Sequence, residues 1–138
     1  MRPVPYNESP PERKAKELGL CIQWEHPGLL MLDLDSKKAH TTALRRISLL
    51  RRFVDVEYFT TRSKSKHWHI YIALPEILDL DLRPDWRYII QALMGSDLDH
   101  ETASQRDFEE FQAKSVLFET PEENAKVEKW RCLTNKKD

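Results

Sequence analysis

The chain has 138 residues, of which 40% are hydrophobic and 33% are charged, a composition that suits one domain with a hydrophobic core. Lysine and arginine number 22 against 23 aspartates and glutamates, so net charge does not indicate nucleic-acid binding, and only local clustering could. Two cysteines are too few for a disulfide framework, and neither a membrane span nor a signal-peptide core is found, so we expect a soluble cytoplasmic protein.

The N-terminal part predicts an arm followed by a short helix. Residues 1–11 are rich in proline and should be extended, and residues 12–18 should form a helix that ends at Gly19. A strand at 20–25 and a turn at 26–28 follow. The chain is therefore divided into an arm and short helix at 1–18, a single α+β domain at 19–120, and a charged C-terminal helix or tail at 121–138.

Residues 28–35 read Gly-Leu-Leu-Met-Leu-Asp-Leu-Asp and predict a strand. Because side chains alternate between the two faces of a strand, Asp33 and Asp35 should share one face, opposite the leucines at 30, 32 and 34. Two neighbouring carboxylates are costly unless a cation neutralises them. The pair is therefore a candidate site for a divalent metal.

A helix follows, capped by Asp35 or Ser36 and running to about Phe53. Its outer face carries four arginines, which form either a solvated surface or a contact surface for a phosphate backbone. The contact surface requires the arginines to border the carboxylates. The four arginines are Arg45, Arg46, Arg51 and Arg52.

Two more strands are predicted at 54–61 and 66–74, joined by a cationic turn at 62–66. In the second strand Trp68 and the apolar residues at 70, 72 and 74 share one face, and His67, His69 and Tyr71 share the other. If the apolar face packs on the helices, the histidines lie on the same sheet face as the aspartates.

The remaining pattern predicts a loop at 75–82, a helix that begins at Pro84 and is closed by Gly95, and a helix capped by Ser96. A short strand at 116–119 precedes a last helix at 121–130. This order predicts an α+β fold with an RRM-like β-α-β-β core, which has helices on one sheet face and a carboxylate/histidine site on the other.

The residues of this site suit metal-assisted phosphoryl or nucleotidyl transfer. Carboxylates hold Mg²⁺ or Mn²⁺, and a histidine beside a cationic turn can hold phosphates. In such reactions the protein mainly positions groups and neutralises charge.

The arrangement resembles the archaeo-eukaryotic primase superfamily, which includes small viral and plasmid primase-polymerases. The motifs are Leu32-Asp33-Leu34-Asp35 and, after the turn, His67-Trp68-His69. The family has a small residue at the position of His67, although Ser65-x-His67 offers another register. The resemblance covers about residues 28–74, and in the family the aspartates bind metal while the histidine contacts the phosphates of the incoming nucleotide.

The resemblance implies a metal-dependent nucleotidyltransferase of DNA replication, with nucleoside triphosphates, a DNA or RNA template and replication proteins as partners. Asp33, Asp35 and His69 are the catalytic candidates. Glu119 is the candidate for the family's third carboxylate and third metal ligand, with Asp97 or Asp99 as alternatives. The predicted nucleotide-binding residues are Arg62, Ser63, Lys64, Ser65, Lys66 and His67.

Two other interpretations remain open. His67-Trp68-His69 is also the His-hydrophobic-His metal motif of rolling-circle replication nucleases, in which a tyrosine on a following helix, here Tyr88, is the nucleophile. That reading leaves Asp33 and Asp35 unexplained. Alternatively, the protein binds nucleic acid or a partner without catalysis, through its arginine-bearing helix.

Overall fold

A computed structural model describes residues 9–63, 67–75 and 84–135. Most of the predicted arm, the centre of the cationic turn and most of the loop at 75–82 lie outside these ranges. In chain order the described elements are α1 (Pro10–Leu18), β1 (Cys21–Trp24), β2 (Leu29–Leu34), α2 (Lys37–Leu50), β3 (Glu57–Arg62), β4 (Trp68–Ala73), α3 (Pro84–Leu93), α4 (Leu98–Phe111), β5 (Val116–Glu119) and α5 (Pro121–Asn135).

The strands form two antiparallel sheets. The central sheet has the order β2-β4-β3, and β1 pairs with β5 in a separate two-stranded ribbon. The α+β class is therefore confirmed, whereas the RRM-like order is not. No helix within the described ranges is long and apolar enough to cross a membrane.

The leucine face of β2 packs against α2, as the alternation predicts. Side chains from β2, β4 and α2 interlock there, and each large aliphatic side chain buried in this way contributes about 1.5–3 kcal/mol. The buried members of this core are Leu30, Leu32, Leu34, Ala43, Ile47, Val56, Ile70 and Ile72.

The opposite sheet face is not left open, which corrects the prediction of helices on one face only. Met31 and Tyr71 are buried there against Leu117 of β5 and Val127 of α5, and Trp130 stacks on Phe59. These strand residues are large and partly apolar, so leaving them in water would be unfavourable. The end of the sheet that carries Asp33 and His69 keeps polar side chains on this face.

The outer edge of β2 is closed by side chains from α3 and the turn after it. Unpaired backbone groups on an edge strand need partners. Arg87 donates to the Leu29 carbonyl at 2.6 Å, Gln91 accepts from the Met31 N–H at 2.8 Å, and Ser96 accepts from the Asp33 N–H at 2.9 Å. These bonds fix the position of the Asp33 backbone.

Helix ends differ in part from the predictions. Ser36 caps α2, as one of the two alternatives predicted, and Gly19 ends α1 with φ of 67°. Helix α1 begins at Pro10 rather than at residue 12, because Ser9 caps it and proline is tolerated in a first turn. Asp97, not Ser96, caps α4, since the Ser96 hydroxyl is bonded elsewhere.

Candidate functional site

The candidate site is built on a row of residues that pair across the central sheet. Asp33 of β2 is opposite His69 of β4, which is opposite Thr61 of β3. Residues opposite one another in antiparallel strands project to the same face. The prediction that Asp33 and His69 share a sheet face is therefore confirmed.

His69 lies between two carboxylates. Its Nε2 is 3.5 Å from Asp33 Oδ1, and its Nδ1 is 3.1 Å from Glu119 Oε2. The His69 side chain is almost fully buried, and Glu119 is 0% exposed. Both ring nitrogens thus face negative charge, which fixes the orientation of the ring.

Glu119 is held by hydroxyl groups as well as by the histidine. Thr61 donates to Glu119 Oε2 at 2.6 Å, and the Tyr71 hydroxyl donates to the same oxygen. The other oxygen, Oε1, is buried and has no hydrogen-bond partner within the described residues. Glu119 therefore contacts the cluster through His69, on the side of the ring away from Asp33.

Two further histidines approach Asp33. Nδ1 of His67 is 3.5 Å from Oδ1, and Nδ1 of His100, on α4, is 3.6 Å from Oδ2. The side chain of His67 is 43% exposed and that of His100 is 23% exposed. We call Asp33, His67, His69, His100 and Glu119 the histidine–carboxylate cluster.

The charges of the cluster shift its pKa values in opposite directions. Burial acts to lower the pKa of His69, but its ion pairs with the carboxylates of Asp33 and Glu119 raise it to about 9. Burial acts to raise the pKa of Asp33 and of Glu119, but the interaction with His69 lowers both. The cluster therefore holds a cationic His69 between two carboxylates at neutral pH.

Two neighbouring cavities meet at Asp33. One, of about 370 Å³, is lined by Asp33, His67 and His69, with Lys14 and Ser63 adding polar groups. The other, of about 350 Å³, contains Asp33 and His100 among its lining residues. Asp33 thus borders both cavities, and their linings also carry a lysine and imidazole groups.

The structure does not extend the strand to the second aspartate. Strand β2 ends at Leu34, and Asp35 is exposed in the bend before α2. The next residue, Ser36, caps α2. The prediction that Asp35 belongs to the strand is therefore wrong, whereas its place beside Asp33 and its role as a ligand stay predictions.

The predicted basic turn is only partly described. Ser63 lines the larger cavity, and its N–H donates to the His67 carbonyl at 2.7 Å. Arg62 lies over the Trp68 ring at 5.2 Å, and Trp68 packs on the core at α2. Lys64, Ser65 and Lys66 lie outside the described residues.

The alternative third carboxylates and the candidate tyrosine have other contacts. Asp97 adjoins Asp33 through its backbone, because its N–H donates to the Asp33 carbonyl at 2.6 Å, but its side chain caps α4. Asp99 is exposed on that helix. Tyr88 is buried and donates to Glu25 at 2.8 Å, and burial together with Glu25 raises its pKa. A buried, protonated and hydrogen-bonded phenol is poorly placed to attack a substrate.

The carboxylate set predicted for the metal does not converge on one point. Asp35 is past the strand, and Glu119 is separated from Asp33 by the His69 ring. Across the parts of the chain that the structure describes, no three His, Cys, Asp or Glu side chains are arranged to hold one metal ion. A metal could still use Asp33, because among the described residues its buried Oδ1 makes no hydrogen bond, and the nearest imidazole nitrogens are 3.5 Å away.

The groups that support the Asp33 backbone at the edge of β2 were not predicted from the sequence. Glu101 accepts from Gln91 at 2.8 Å and from Ser96 at 2.6 Å, and these two residues hold the edge of β2. Lys14 and His100 were also missed. They come from helices remote in sequence, and nothing in a helical pattern shows which cavity such a side chain lines.

We expect Glu101 to make the stability of the protein depend on pH. Burial raises its pKa to about 7 from an ordinary value of 4.5. Glu101 therefore binds its proton more tightly in the folded state than in the unfolded state. Its contribution to the free energy of unfolding is complete below about pH 4.5 and is lost as the pH rises through 7. Glu101→Gln should remove on the order of 3 kcal/mol of this decline, measured by urea unfolding at several pH values. An equally steep decline in Glu101→Gln would contradict this role.

Comparison with known proteins returns no significant match: no family model, no curated protein and no solved structure is similar to this chain. No family is therefore shown, and any function has to be argued from the cluster and its surroundings.

Proposed function

We propose that this protein is a metal-dependent nucleotidyltransferase of the primase-polymerase type, acting on nucleoside triphosphates with a DNA or RNA template. The observation that carries the proposal is the Asp33 and His69 pair, which lines a cavity of about 370 Å³ together with Lys14 and Ser63. A carboxylate beside cationic and hydroxyl groups suits a metal-bound triphosphate.

The metal in this proposal is Mg²⁺ or Mn²⁺ held by Asp33. Mg²⁺ is usually bound through one or two carboxylates together with substrate phosphates and water, rather than by a cage of protein ligands. Oδ1 of Asp33, which makes no hydrogen bond within the described ranges, fits this mode of binding. When bound, the ion supplies charge neutralisation at the phosphates.

His69 is the proposed phosphate contact. Its raised pKa keeps it cationic at neutral pH, and Glu119 holds its ring through Nδ1. Nε2 then remains directed to the side where Asp33 and the cavity lie. Glu119 is in this view a positioning residue for His69 rather than a third metal ligand.

The strand order supports one further part of the proposal. Strands β2 and β3, joined through α2, both pair with β4, and this order is compatible with an RRM-like core. Replication proteins are the proposed partners, as the resemblance to primase-polymerases implies.

A metal-dependent nuclease is the second candidate, and one observation favours it. Both His67 and His69 lie 3.5 Å from the same oxygen of Asp33, so two imidazoles and one carboxylate, the ligand types of a transition-metal ion, are close together. Binding such an ion would require His69 to lose its proton and the three side chains to rearrange around the metal. This gives Asp33 a role that the His-hydrophobic-His motif alone left unexplained. Because Tyr88 is buried, the nucleophile in this case is water.

One assay separates the two candidates. The full chain is incubated with Mn²⁺ or Mg²⁺ and a labelled primer on a template, with and without nucleoside triphosphates. We expect nucleotide-dependent extension of the primer. Shortening of the strand without nucleotides would favour the nuclease, and no reaction with either metal would contradict both.

A further inference from the structure

Positive charge is concentrated on α2 and the neighbouring edge strand β3. Residues 37–62 contain seven lysines and arginines but two acidic residues, Asp55 and Glu57, whereas the whole chain is nearly balanced. The exposed basic side chains here are Lys37, Lys38, Arg45, Arg46, Arg51, Arg52 and Arg62. We call the surface that they form the basic surface.

No salt bridge between described residues includes any of these seven side chains. Their contacts with the fold are a hydrogen bond from Arg46 to the Leu93 carbonyl at 2.7 Å and the packing of Arg51 and Arg62 over aromatic rings. Lys38 and Arg45 are seven residues apart, two helical turns, and Arg52 follows after seven more in the turn that extends α2. This spacing places the three cations along one side of the helix.

Aromatic rings lie among these cations. The Arg51 guanidinium is 6.0 Å from the centre of the Tyr58 ring, and Tyr58 is 37% exposed. Phe53, just past the end of α2, is 81% exposed. Exposed rings beside cationic groups are the combination with which proteins bind single-stranded nucleic acid, because bases stack on the rings while phosphates pair with the cations.

The basic surface reaches the end of the sheet where the cluster lies. Arg62 is opposite Trp68 in the sheet, and the adjacent row is Thr61, His69 and Asp33. A strand bound along α2 and β3 therefore arrives next to the candidate site, around the end of the sheet. This continuity runs through Arg62 and not through the four arginines at 45–52, which follow the helix that packs on the other face of the sheet.

We infer that the basic surface binds single-stranded nucleic acid and leads it to the histidine–carboxylate cluster. The inference extends the proposed function by naming where the template lies, and it rests on that function only for the direction in which the strand runs. Binding itself depends on the charges and rings of α2 and β3 and not on metal or nucleotide.

The test measures binding of the full chain to a labelled single-stranded oligonucleotide of about 20 nucleotides, by fluorescence anisotropy over a range of salt concentrations. EDTA is present and nucleotide is absent, so the metal site does not contribute. Arg45→Gln/Arg52→Gln is compared with Arg106→Gln/Lys129→Gln, which removes the same charge from exposed positions on α4 and α5.

We expect wild-type protein to bind single strands more tightly than duplex. The Arg45→Gln/Arg52→Gln variant should reduce the slope of log K against log salt by about 1.4, which corresponds to two lost phosphate contacts. The control pair should leave the slope as in wild type. Phe53→Ala should weaken binding about tenfold with little change in slope, as expected for a lost stacked base.

Equal slopes for the two double variants would overturn the inference, and so would equal affinity for duplex. Binding to anionic phospholipid vesicles without binding to the oligonucleotide would assign the surface to a membrane instead. Arginine-dependent binding in a protein that neither extends nor cleaves a strand would support this inference while contradicting the proposed function.

Discussion

Asp33→Asn is expected to reduce primer extension by about 10³-fold, which corresponds to several kcal/mol of lost electrostatic stabilisation by a metal ion. Asparagine has nearly the same shape as aspartate and leaves the backbone bonds to Ser96 and Asp97 in place. It removes the negative charge that holds the cation. Initial rates with Mn²⁺ and saturating nucleotide measure the effect.

Asp35→Asn is the matched control for Asp33→Asn, because it makes the same chemical change two residues away. Asp35 is exposed beyond the end of β2, so we expect a loss of about tenfold at most. Equal losses in the two variants would favour a metal held by an aspartate pair. Full activity in Asp33→Asn would contradict the proposed site.

Glu119→Ala is expected to lower the free energy of unfolding by about 3–5 kcal/mol, because it breaks a buried charge pair and leaves one partner uncompensated. Glu119 is fully buried, lies 3.1 Å from His69 and accepts from Thr61 and Tyr71. Removal leaves three polar groups without this acceptor. Urea unfolding at pH 7 measures the difference.

Two further variants keep this prediction testable if Glu119→Ala does not fold. Glu119→Gln retains the size of the side chain and one acceptor oxygen, and we expect a smaller loss of about 1–3 kcal/mol. Glu122→Ala removes an exposed carboxylate three residues away, where a change within about 0.5 kcal/mol is expected. A loss below about 1 kcal/mol in Glu119→Ala would show that the buried pair does not stabilise the fold.

The sequence predicted the central sheet and the placement of Asp33 and His69 on one sheet face. Both follow from the alternation of side chains along a strand. Side chains at 30, 32 and 34 and at 70 and 72 had to face one core, so Asp33 and His69 had to face the other way. The alternation does not give the register that places these two residues directly opposite one another. It does restrict the register, because a shift by one residue would move the leucines out of the core.

The rest of the site depends on contacts between segments far apart in the chain. Glu119 was a candidate carboxylate, yet its position behind His69 follows from the pairing of β5 with β1 and the packing of this ribbon on the sheet. The cover over the second sheet face was not foreseen for the same reason. The error at Asp35 was local, since the Ser36 cap competes with the strand for the same residues.

The most direct test of the proposed metal and nucleotide site is a crystal structure of the full chain with Mn²⁺ and a non-hydrolysable nucleoside triphosphate. We predict an anomalous peak for Mn²⁺ about 2.1 Å from an Asp33 carboxylate oxygen, with the triphosphate within hydrogen-bond distance of His69. A nucleotide bound elsewhere, or an ion without contact to Asp33, would contradict the proposal.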